Sequence, residues 1–493
     1  MNVSFQLIVP VLLPIFFGLL IGLANTLREQ RIQQIFFAAL ALNAAAVFVI
    51  ILQPDMRLEL FQLTEHMPIL LKMDNLTRLF CVLSSLMFLL AGIYTPEYMR
   101  HEDKKERFYM FYLIVLGMLM GFGFSGNLVT LYLFFEAAAL LSVPLVLHSM
   151  KKEAIVAAFK FIYYSIAGAS LGLIGLFFIY IYGTTLEFTP GGVLDMQKLA
   201  GHEERMLVVI LLTIIGFGAK AGLFPLHAWL PEAHPIAPAP ASAILSGVIT
   251  KMGVFAIIRF VYYLVGPEFI RGTWVQTAWI SIALFTVIMG SLLAFHESAL
   301  KRRLAYSSVS QVSYVMFGLG ILTSGALIAS LLHMVFHSII KNALFLAAGI
   351  IILRTNNTNV ADMRGIGKQM PITILCFALL AVSIVGIPPT SGFISKWHLA
   401  SASLAADIGF FSWGGVIILL MSALLTAGYL VPIAINGFFP GTEHDINNNN
   451  SANLEPGFSM LYPVLLLTAA AVIFGLFPGI LLYFFESIAG EIM

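Results

Sequence analysis

Charge is scarce in this sequence. Asp, Glu, Lys and Arg together make up 10% of its 493 residues, whereas soluble domains carry roughly 25%. Hydrophobic residues make up 60% and the mean hydropathy is +0.95, so water cannot be the main solvent around the chain. The formal net charge of +1 gives no general attraction to a polyanion, and basic residues are not interleaved with aromatic ones as nucleic-acid grooves require. These shortages argue against a soluble protein and against a nucleic-acid partner.

Cysteine is also scarce. The two cysteines, Cys81 and Cys376, each lie inside an apolar run, and neither has the paired spacing that zinc or iron–sulfur clusters need. The sequence therefore predicts no metal site and no bound cofactor. Any redox chemistry linked to this chain must sit on another subunit.

Long apolar segments, in contrast, are abundant. About 20 apolar residues in a helix cross a bilayer core of about 30 Å, and lipid tolerates few other backbone structures because unpaired amides are costly there. The pattern predicts an all-α polytopic membrane protein with about fourteen transmembrane helices. The approximate segments are 3–25, 32–52, 76–95, 108–125, 128–148, 159–183, 206–222, 238–263, 274–294, 303–322, 325–353, 371–405, 411–437 and 459–486. The first has no basic residue before it and is longer than the apolar part of a signal peptide, so we expect it to be retained.

Basic residues in the predicted loops are divided unevenly between the two sides. Lys and Arg in short loops accumulate on the cytoplasmic side of a membrane. With fourteen spans, one side receives Arg28, Arg31, Arg100, Lys104, Lys105, Arg107, Lys151, Lys152, Lys160, Lys301, Arg302, Arg303, Arg354, Arg364 and Lys368. The other side receives only Arg57, Lys72, Arg78, Lys198, Arg205 and Arg271. The distribution predicts that both termini lie on the non-cytoplasmic side. We expect the membrane to be the cell membrane of a prokaryote.

The remaining basic residues fall within or beside apolar segments: Lys220, Lys251, Arg259, Lys341 and Lys396. A charge at the bilayer centre costs at least ~2.5–3.5 kcal/mol, so an ionisable group there usually faces a polar interior and has a function. The alternative is a side chain that extends to the membrane interface. We favour that alternative for Arg259, which lies near the end of its segment, and a function for Lys220, Lys251 and Lys396.

Proline interrupts two of the segments in similar ways. The seventh segment is broken at Pro225 and the twelfth at Pro388 and Pro389. Broken helices at corresponding positions of two halves are typical of transporters built from inverted repeats, whose ion sites lie where the backbone unwinds. Ordinary proline kinks are the alternative. Because lysines lie beside both breaks, we favour the transporter interpretation.

Glu136 has apolar neighbours for more than a helical turn on both sides and no charged neighbour in the sequence. An isolated buried carboxylate becomes protonated, so a charged Glu136 needs a cation from another helix. A unit charge about 4 Å away contributes ~4 kcal/mol at an effective dielectric of 20. A contact of this size that forms and breaks could load and unload a lysine; a static structural ion pair is the alternative.

His333, His337 and Lys341 recur every four residues and therefore share one face of a helix. Histidines at this spacing can bind zinc, but a catalytic zinc site needs a third ligand and usually the glutamate of an HExxH motif, and neither is nearby. Histidine titrates near neutral pH, which favours a proton relay. Histidines satisfied by neighbouring hydroxyl groups remain the alternative, above all for His333.

Four motifs, in this order along the chain, resemble signatures of the antiporter-like membrane subunits of respiratory complex I and its relatives. They are Gly218–Ala233 (GAKAGLFPLHAWLPEA), Ser246–Gly253 (SGVITKMG), Leu304–Gln311 (LAYSSVSQ) and Gly386–Phe393 (GIPPTSGF). The resemblance covers roughly residues 75–430. The segment Pro231–Pro238 is most similar to the versions in membrane-bound hydrogenases and formate hydrogenlyases.

The resemblance implies roles for the candidate residues. Glu136 and Lys220 would form a switching pair, Lys251 would connect inward, and Lys341 and Lys396 would continue the path. It also implies inverted repeats of five helices, at 108–263 (helices 4–8) and 264–437 (helices 9–13), between three N-terminal helices at 1–107 and a loop with helix 14 at 438–493. A lysine at position 396 is similar to the D-type subunits of Mrp cation/proton antiporters.

The leading hypothesis is a subunit that moves protons or sodium ions in a larger complex-I-related assembly, such as a membrane-bound group 4 hydrogenase. A D-type subunit of a multisubunit Mrp antiporter, without redox chemistry, is the alternative. A purely structural scaffold would not need unpaired lysines in successive helices. The expected partners are other membrane subunits, including related antiporter-like ones, the lipid bilayer, and a redox arm with iron–sulfur proteins; the chain itself is not expected to be catalytic.

Overall fold

The computed structural model describes residues 3–23, 28–65, 67–441 and 453–493, which are mostly helical. The helices are α1 (Val9–Leu23), α2 (Glu29–Ile51), α3 (Asn75–Tyr98), α4 (Lys105–Gly123), α5 (Leu128–Val146), α6 (Lys152–Tyr182), α7 (Met196–Leu199), α8 (Glu203–Ala221), α9 (Trp229–Ile236), α10 (Ala239–Val265), α11 (Pro267–Ile270), α12 (Trp274–His296), α13 (Leu300–Ile321), α14 (Ser324–Thr355), α15 (Pro371–Val385), α16 (Ser391–Ala405), α17 (Phe410–Phe438), α18 (Phe458–Leu476) and α19 (Gly479–Ile492). Two short strands, β1 (Arg57–Gln62) and β2 (Pro68–Lys72), form an antiparallel hairpin.

Hydropathy predicted the positions of the helices well. Within the described residues, eleven helices are long and apolar enough to cross a membrane, and the all-α polytopic class is confirmed. The chain is a multi-spanning membrane protein. The count of fourteen spans, the inverted repeats and the four domain boundaries stay predictions. The end of the first predicted segment and most of the loop after residue 438 lie outside the described residues.

Helices α10 and α14 lie at the centre of the molecule and pack against each other. α10 is buried along its whole length and α14 along nearly all of it. Helices α1, α2 and α17 lie at the periphery and expose large apolar side chains such as Phe16, Phe48 and Trp413. In a membrane protein, such apolar faces contact lipid or another subunit.

The chain leaves helical geometry in the two segments that contain the predicted breaks. α8 ends before Gly222 (φ +87°) and α15 ends before Gly386 (φ +92°). Glycine enters this left-handed region without the steric cost of a Cβ, which makes it the usual residue just past a helix end. Pro225, Pro388 and Pro389 follow in the non-helical stretches, where their missing N–H groups leave no helical hydrogen bond unmade. Both breaks therefore have the same construction.

Two features depart from the predicted helix pattern. The β1–β2 hairpin was not expected; it packs over the α4–α5 connection, where Lys72 N–H donates to Phe124 O at 2.7 Å. The last predicted segment, 459–486, is not one helix but two, α18 and α19. The division falls at Phe477-Pro478, because the residue before a proline is disfavoured in helical geometry; Phe477 has φ −128° and ψ 65°.

The expectation that Arg259 extends to the membrane interface is wrong. Its side chain is 1% exposed and makes two hydrogen bonds with Asp74, at 2.6 and 2.8 Å. A third hydrogen bond reaches Thr77 Oγ1 at 2.9 Å. Asp74 also caps the start of α3 by accepting from Thr77 N–H, so this buried pair ties α3 to the end of α10. A buried arginine with a bidentate carboxylate is a structural tie, not a mobile charge.

The loops that were predicted to share one side do lie together. Lys105 Nζ lies 2.8 Å from Glu29 Oε1, Arg107 donates to His148 O, and Arg354 lies 3.6 Å from Glu97. We call this side the basic face, defined by the ranges 100–107, 148–153, 297–303 and 354–368. The candidate site lies between it and the opposite face.

Candidate ion-translocation site

Glu136 lies on α5 at the edge of the molecule and is half-buried, not enclosed as its apolar sequence context predicted. The reason is the peripheral position of α5, which also exposes Leu133 and Leu140 on this side. Glu136 makes no hydrogen bond or ion pair with any residue that the structure describes. Nevertheless, among the acidic groups that the structure describes, only Glu136 acts on Lys220 through its charge. The structure brings the two residues near each other without direct contact.

Lys220 lies in the last turn of α8, next to the first break, and is almost completely buried. Its Nζ donates to Ser165 Oγ at 3.2 Å and lies over the rings of Phe161 (4.1 Å) and Trp229 (5.4 Å). Aromatic faces attract a cation electrostatically. Trp229 is itself held by its indole N–H, which donates at 2.8 Å to Ala219 O, one of the carbonyls freed where α8 ends. The helix break therefore builds the pocket that holds the lysine.

Lys251, in the middle of α10, is in direct contact with His337 on α14. The two nitrogens Nζ and Nδ1 are 2.7 Å apart, a hydrogen-bond distance. Lys251 also donates to Ser246 O at 2.6 Å. One proton thus lies between two groups that both titrate, and its transfer would exchange donor and acceptor without moving a heavy atom. His337 Nε2 has no partner within the described chain.

His333 lies one helical turn from His337 and the two rings are stacked, with centroids 6.3 Å apart. Its Nδ1 lies 2.9 Å from Ser395 Oγ on α16. The Tyr314 ring stacks on the His333 ring, with centroids 5.3 Å apart. Lys396 Nζ lies 4.9 Å from the centroid of the Tyr314 ring. Tyr314 therefore lies between His333 and Lys396. Together these three residues connect α14 to α16, the helix that follows the second break.

Lys396 occupies the second break as Lys220 occupies the first. Its Nζ donates to the carbonyls of Ile384 (2.7 Å) and Val385 (3.0 Å), the last residues of α15. The last carbonyls of a helix lack intrahelical partners and carry the negative end of its dipole, which attracts a cation. The side chain is half-buried, so these two carbonyls are the groups that hold a charge on Lys396.

Lys341 is fully buried on α14, and its Nζ donates to Leu304 O at 3.0 Å. No acidic group among the described residues acts on Lys251, Lys341 or Lys396; Lys341 instead interacts with the other two lysines. Simultaneous positive charge on all three would be strongly unfavourable inside the membrane. The arrangement therefore suits charges that are present one at a time.

The row of candidates has one gap. Lys220 and Lys251 have no hydrogen bond or electrostatic interaction with each other among the described residues. On α14, two buried polar groups have no hydrogen-bond partner among the described residues: His337 Nε2 and the side-chain amide of Asn342. Buried polar groups are nearly always paired, with ordered water where protein is lacking. These two groups therefore indicate ordered water near the centre of the chain.

Several residues of this site were not predicted from the sequence. Ser165, Trp229, Tyr314 and Ser395 contact the candidate lysines and histidines, but in the sequence they look like ordinary polar or aromatic residues of apolar helices. Tyr314 and Trp229 lie within or just after the quoted motifs, which is the one signal that could have indicated them. The described part of the chain contains no group of three or more His, Cys, Asp or Glu side chains that could hold a metal ion.

Two glycine-capped helix breaks and a row of buried lysines in a helical membrane protein are features of a transport protein. Comparison with known proteins identifies the family of the chain. The family of transmembrane proteins described as NADH:quinone oxidoreductase/Mrp antiporter matches residues 125–426. The chain belongs to this family, as the resemblance of the four motifs implied.

Individual relatives match over most of the chain. The chain is 33% identical over 420 residues to NADH-quinone oxidoreductase subunit N of Desulforudis audaxviator, covering 83% of this chain and 82% of the relative. It is 27% identical over 473 residues to the D-type Na(+)/H(+) antiporter subunit of Bacillus subtilis, covering 95% and 93%. A chain of the archaeal membrane-bound sulfane sulfur reductase shares the fold, with a TM-score of 0.86, 23% identity and coverage of 99% and 98%.

Proposed function

We propose that this chain is the antiporter-like, ion-translocating subunit of a multisubunit membrane assembly related to complex I. Glu136, Lys220, Lys251, His337, His333, Lys341 and Lys396 would carry the ion. One observation carries this proposal. Lys251, Lys341 and Lys396 are hydrogen-bonded to neutral groups, and none of them has an acidic partner among the described residues. A permanent charge at these positions is costly, whereas a transient one is the basis of transport.

The side chains of the path support protons as its cargo. Alkali and alkaline-earth cations prefer oxygen ligands, and carboxylates above all. The central path presents lysine and histidine nitrogens, which repel a cation when protonated but pass a proton among themselves. A sodium ion, if one is moved by the assembly, would then use another route or another subunit.

Two exposed sites near the candidate lysines support a multisubunit assembly. Glu136 is half-exposed on α5, and Trp397 is 62% exposed beside Lys396 on α16. A carboxylate that faces lipid is costly, so another membrane subunit is the expected neighbour of α5. The Desulforudis and Bacillus relatives are both named as subunits. Inverted repeats at 108–263 and 264–437 are part of this proposal, supported by the glycine-capped break in each.

A second candidate is a D-type subunit of an Mrp Na+/H+ antiporter without redox chemistry. It is favoured by the match to the Bacillus antiporter subunit, which extends over almost the whole of both chains. The two candidates differ in their partners. Purification of the chain with its native neighbours, followed by analysis for iron and nickel, separates them: bound iron–sulfur or nickel subunits support the first candidate, and their absence from an active complex supports the second.

Replacement of Lys396 by alanine should abolish proton transport but leave the complex assembled. The substitution removes the cation at the end of α15, where it donates to the Ile384 and Val385 carbonyls, and it relieves the cost of a charge inside the membrane. Proton uptake by inverted vesicles at matched protein levels measures this. Lys198→Ala, which removes an exposed lysine on the opposite face, is the control and should transport normally. Failure of the Lys396 variant to assemble would assign this lysine a structural role instead.

We also propose that the basic face is cytoplasmic, so that both termini lie on the other side of the membrane. The support is the excess of Lys and Arg in loops that the ion pairs hold together. A periplasmic reporter enzyme fused after Met493 should be active and a cytoplasmic one inactive. Fusions in the 100–107 loop should give the reverse pattern. Activity of the cytoplasmic reporter at Met493 would refute this orientation.

A further inference from the structure

A second group of titratable side chains lies between the central lysines and the basic face. Its innermost member is His234 on α9, which is completely buried and stacks on the Phe345 ring at 4.7 Å. Neither ring nitrogen of His234 has a hydrogen-bond partner among the described residues. The charges of Lys251, Lys341 and Lys301 all act on it. His234 thus stacks on a residue one helical turn from Lys341 and lies three residues before Ala237, whose carbonyl accepts a hydrogen bond from Lys301.

Lys301 is the second member. Three basic residues in a row suggested a solvated loop, but the Lys301 side chain is only 7% exposed. It begins α13, and its Nζ donates at 2.8 Å to Ala237 O, just after the end of α9. Glu102 is the one described acidic group whose charge acts on it. Lys301 is therefore directed inward, toward the segment that carries His234.

Glu102, in the α3–α4 connection, is the outermost member and is half-buried. It lines an open cavity of about 640 Å³ on the basic face, whose wall also includes Pro235 and Ile236, the residues next to His234. Burial raises the pKa of the Glu102 carboxyl, and the charge of Lys301 opposes this rise. Water in the cavity can thus exchange protons with a carboxyl group whose charge acts on the buried Lys301.

We propose that Glu102, Lys301 and His234 form a proton port that connects the cavity on the basic face with Lys251 and Lys341. This inference rests on the proposed function, which supplies the central path. In each transfer a cavity water gives a proton to Glu102, Lys301 passes its own proton to one ring nitrogen of His234, Glu102 returns a proton to Lys301, and His234 releases a proton inward from its other ring nitrogen. Every group returns to its initial protonation state, so the net change is one proton moved, with no change of redox state.

A purely structural role makes different demands on these residues. If Lys301 only caps the Ala237 carbonyl and balances Glu102, any permanent cation of similar length should serve. If it passes a proton, it must also release one, which a guanidinium cannot do. Likewise, a glutamine at position 234 keeps polarity and approximate size but cannot titrate. The substitutions that preserve structure are therefore the ones that should stop transport.

The test measures proton uptake by inverted vesicles containing the complete complex. Lys301→Arg and His234→Gln should each lower the rate at least about tenfold, and Glu102→Gln severalfold, as for other positioned proton-transfer groups. Glu153→Gln is the matched control: this carboxylate lines the same cavity, but its charge does not act on Lys301. Its rate should equal that of the unmodified complex. Normal rates for both Lys301→Arg and His234→Gln would overturn the port.

A second measurement does not depend on the buried variants folding. Met150→Cys places a thiol in the cavity wall, and Thr185→Cys places one in a cavity of about 520 Å³ away from the basic face. The native Cys81 and Cys376 are buried. A bulky thiol reagent should block transport in the Met150 variant and not in the Thr185 variant; equal effects overturn the port. If the unmodified complex moves no protons, both the proposed function and the port are refuted. If the unmodified complex transports normally and the variants do too, only the port is refuted.

Discussion

Replacement of Glu136 by glutamine should stop coupled proton transport while the complex assembles normally. The two side chains have nearly the same shape, and Glu136 makes no hydrogen bond or ion pair with a described residue that the amide would lose. What disappears is the one acidic charge that acts on Lys220. If turnover brings the pair to about 4 Å, the lost interaction is worth ~4 kcal/mol at an effective dielectric of 20. The ammonium form of Lys220 would lose that stabilisation.

Two further variants identify the reason for the loss. Glu136→Asp should recover part of the activity, because the charge remains on a shorter side chain. Lys220→Arg should be inactive: a guanidinium retains its proton throughout a cycle, although it could still donate to Ser165 and stack between Phe161 and Trp229. Proton uptake by inverted vesicles, at matched protein levels, is the measurement for all of them.

The control for this pair is Glu187→Gln, which removes a surface carboxylate that pairs with Arg57 at 2.5 Å. Exposed ion pairs contribute little to stability, so this variant should transport normally. Near-normal transport by Glu136→Gln or by Lys220→Arg would show that the pair is structural and that the switch lies elsewhere in the chain.

Much of the helical architecture could be predicted from the sequence because lipid leaves the backbone few alternatives. The apolar segments marked the helices, and the prolines marked the stretches where α8 and α15 end. The separation of α18 from α19 was missed although Pro478 was visible, because the apolar pattern continues through the turn. The β1–β2 hairpin was missed because its strands are short and only half apolar.

Partners distant in the sequence could not be predicted. Arg259 looked like an interfacial residue because its carboxylate partner, Asp74, lies 185 residues earlier. Lys301 looked like part of a basic loop because Arg302 and Arg303 follow it, and hydropathy does not show which way a side chain points at a helix start. Similarly, the regular spacing of His333 and His337 predicted a shared face but could not reveal that Lys251 on α10 meets it.

The contact between Lys251 and His337 leads to the second large effect: Lys251→Arg and His337→Gln should each reduce proton transport at least about tenfold. The nitrogens are 2.7 Å apart. A charged lysine donates to His337 Nδ1, and a neutral lysine accepts from it, so the two states differ by one proton. Arginine would remain in the first state. Glutamine can replace the hydrogen bond of His337, but it has no second titrating nitrogen to pass a proton toward His333.

Stability and transport should separate in the His337→Gln variant. It keeps a hydrogen-bonding group of similar length, so Lys251 does not lose its partner, and an unpaired buried polar atom is the usual cause of large destabilisation. Assembly of the His337→Gln complex and its thermal stability should therefore change little, whereas Lys251→Arg places a permanent charge in the interior and should also lower stability. Ser338→Ala is the matched control on the same helix: this serine is buried but donates only to Met334 O, one turn earlier. A His337→Gln complex that transports protons at the rate of the Ser338→Ala complex would show that the Lys251–His337 contact is only a structural hydrogen bond.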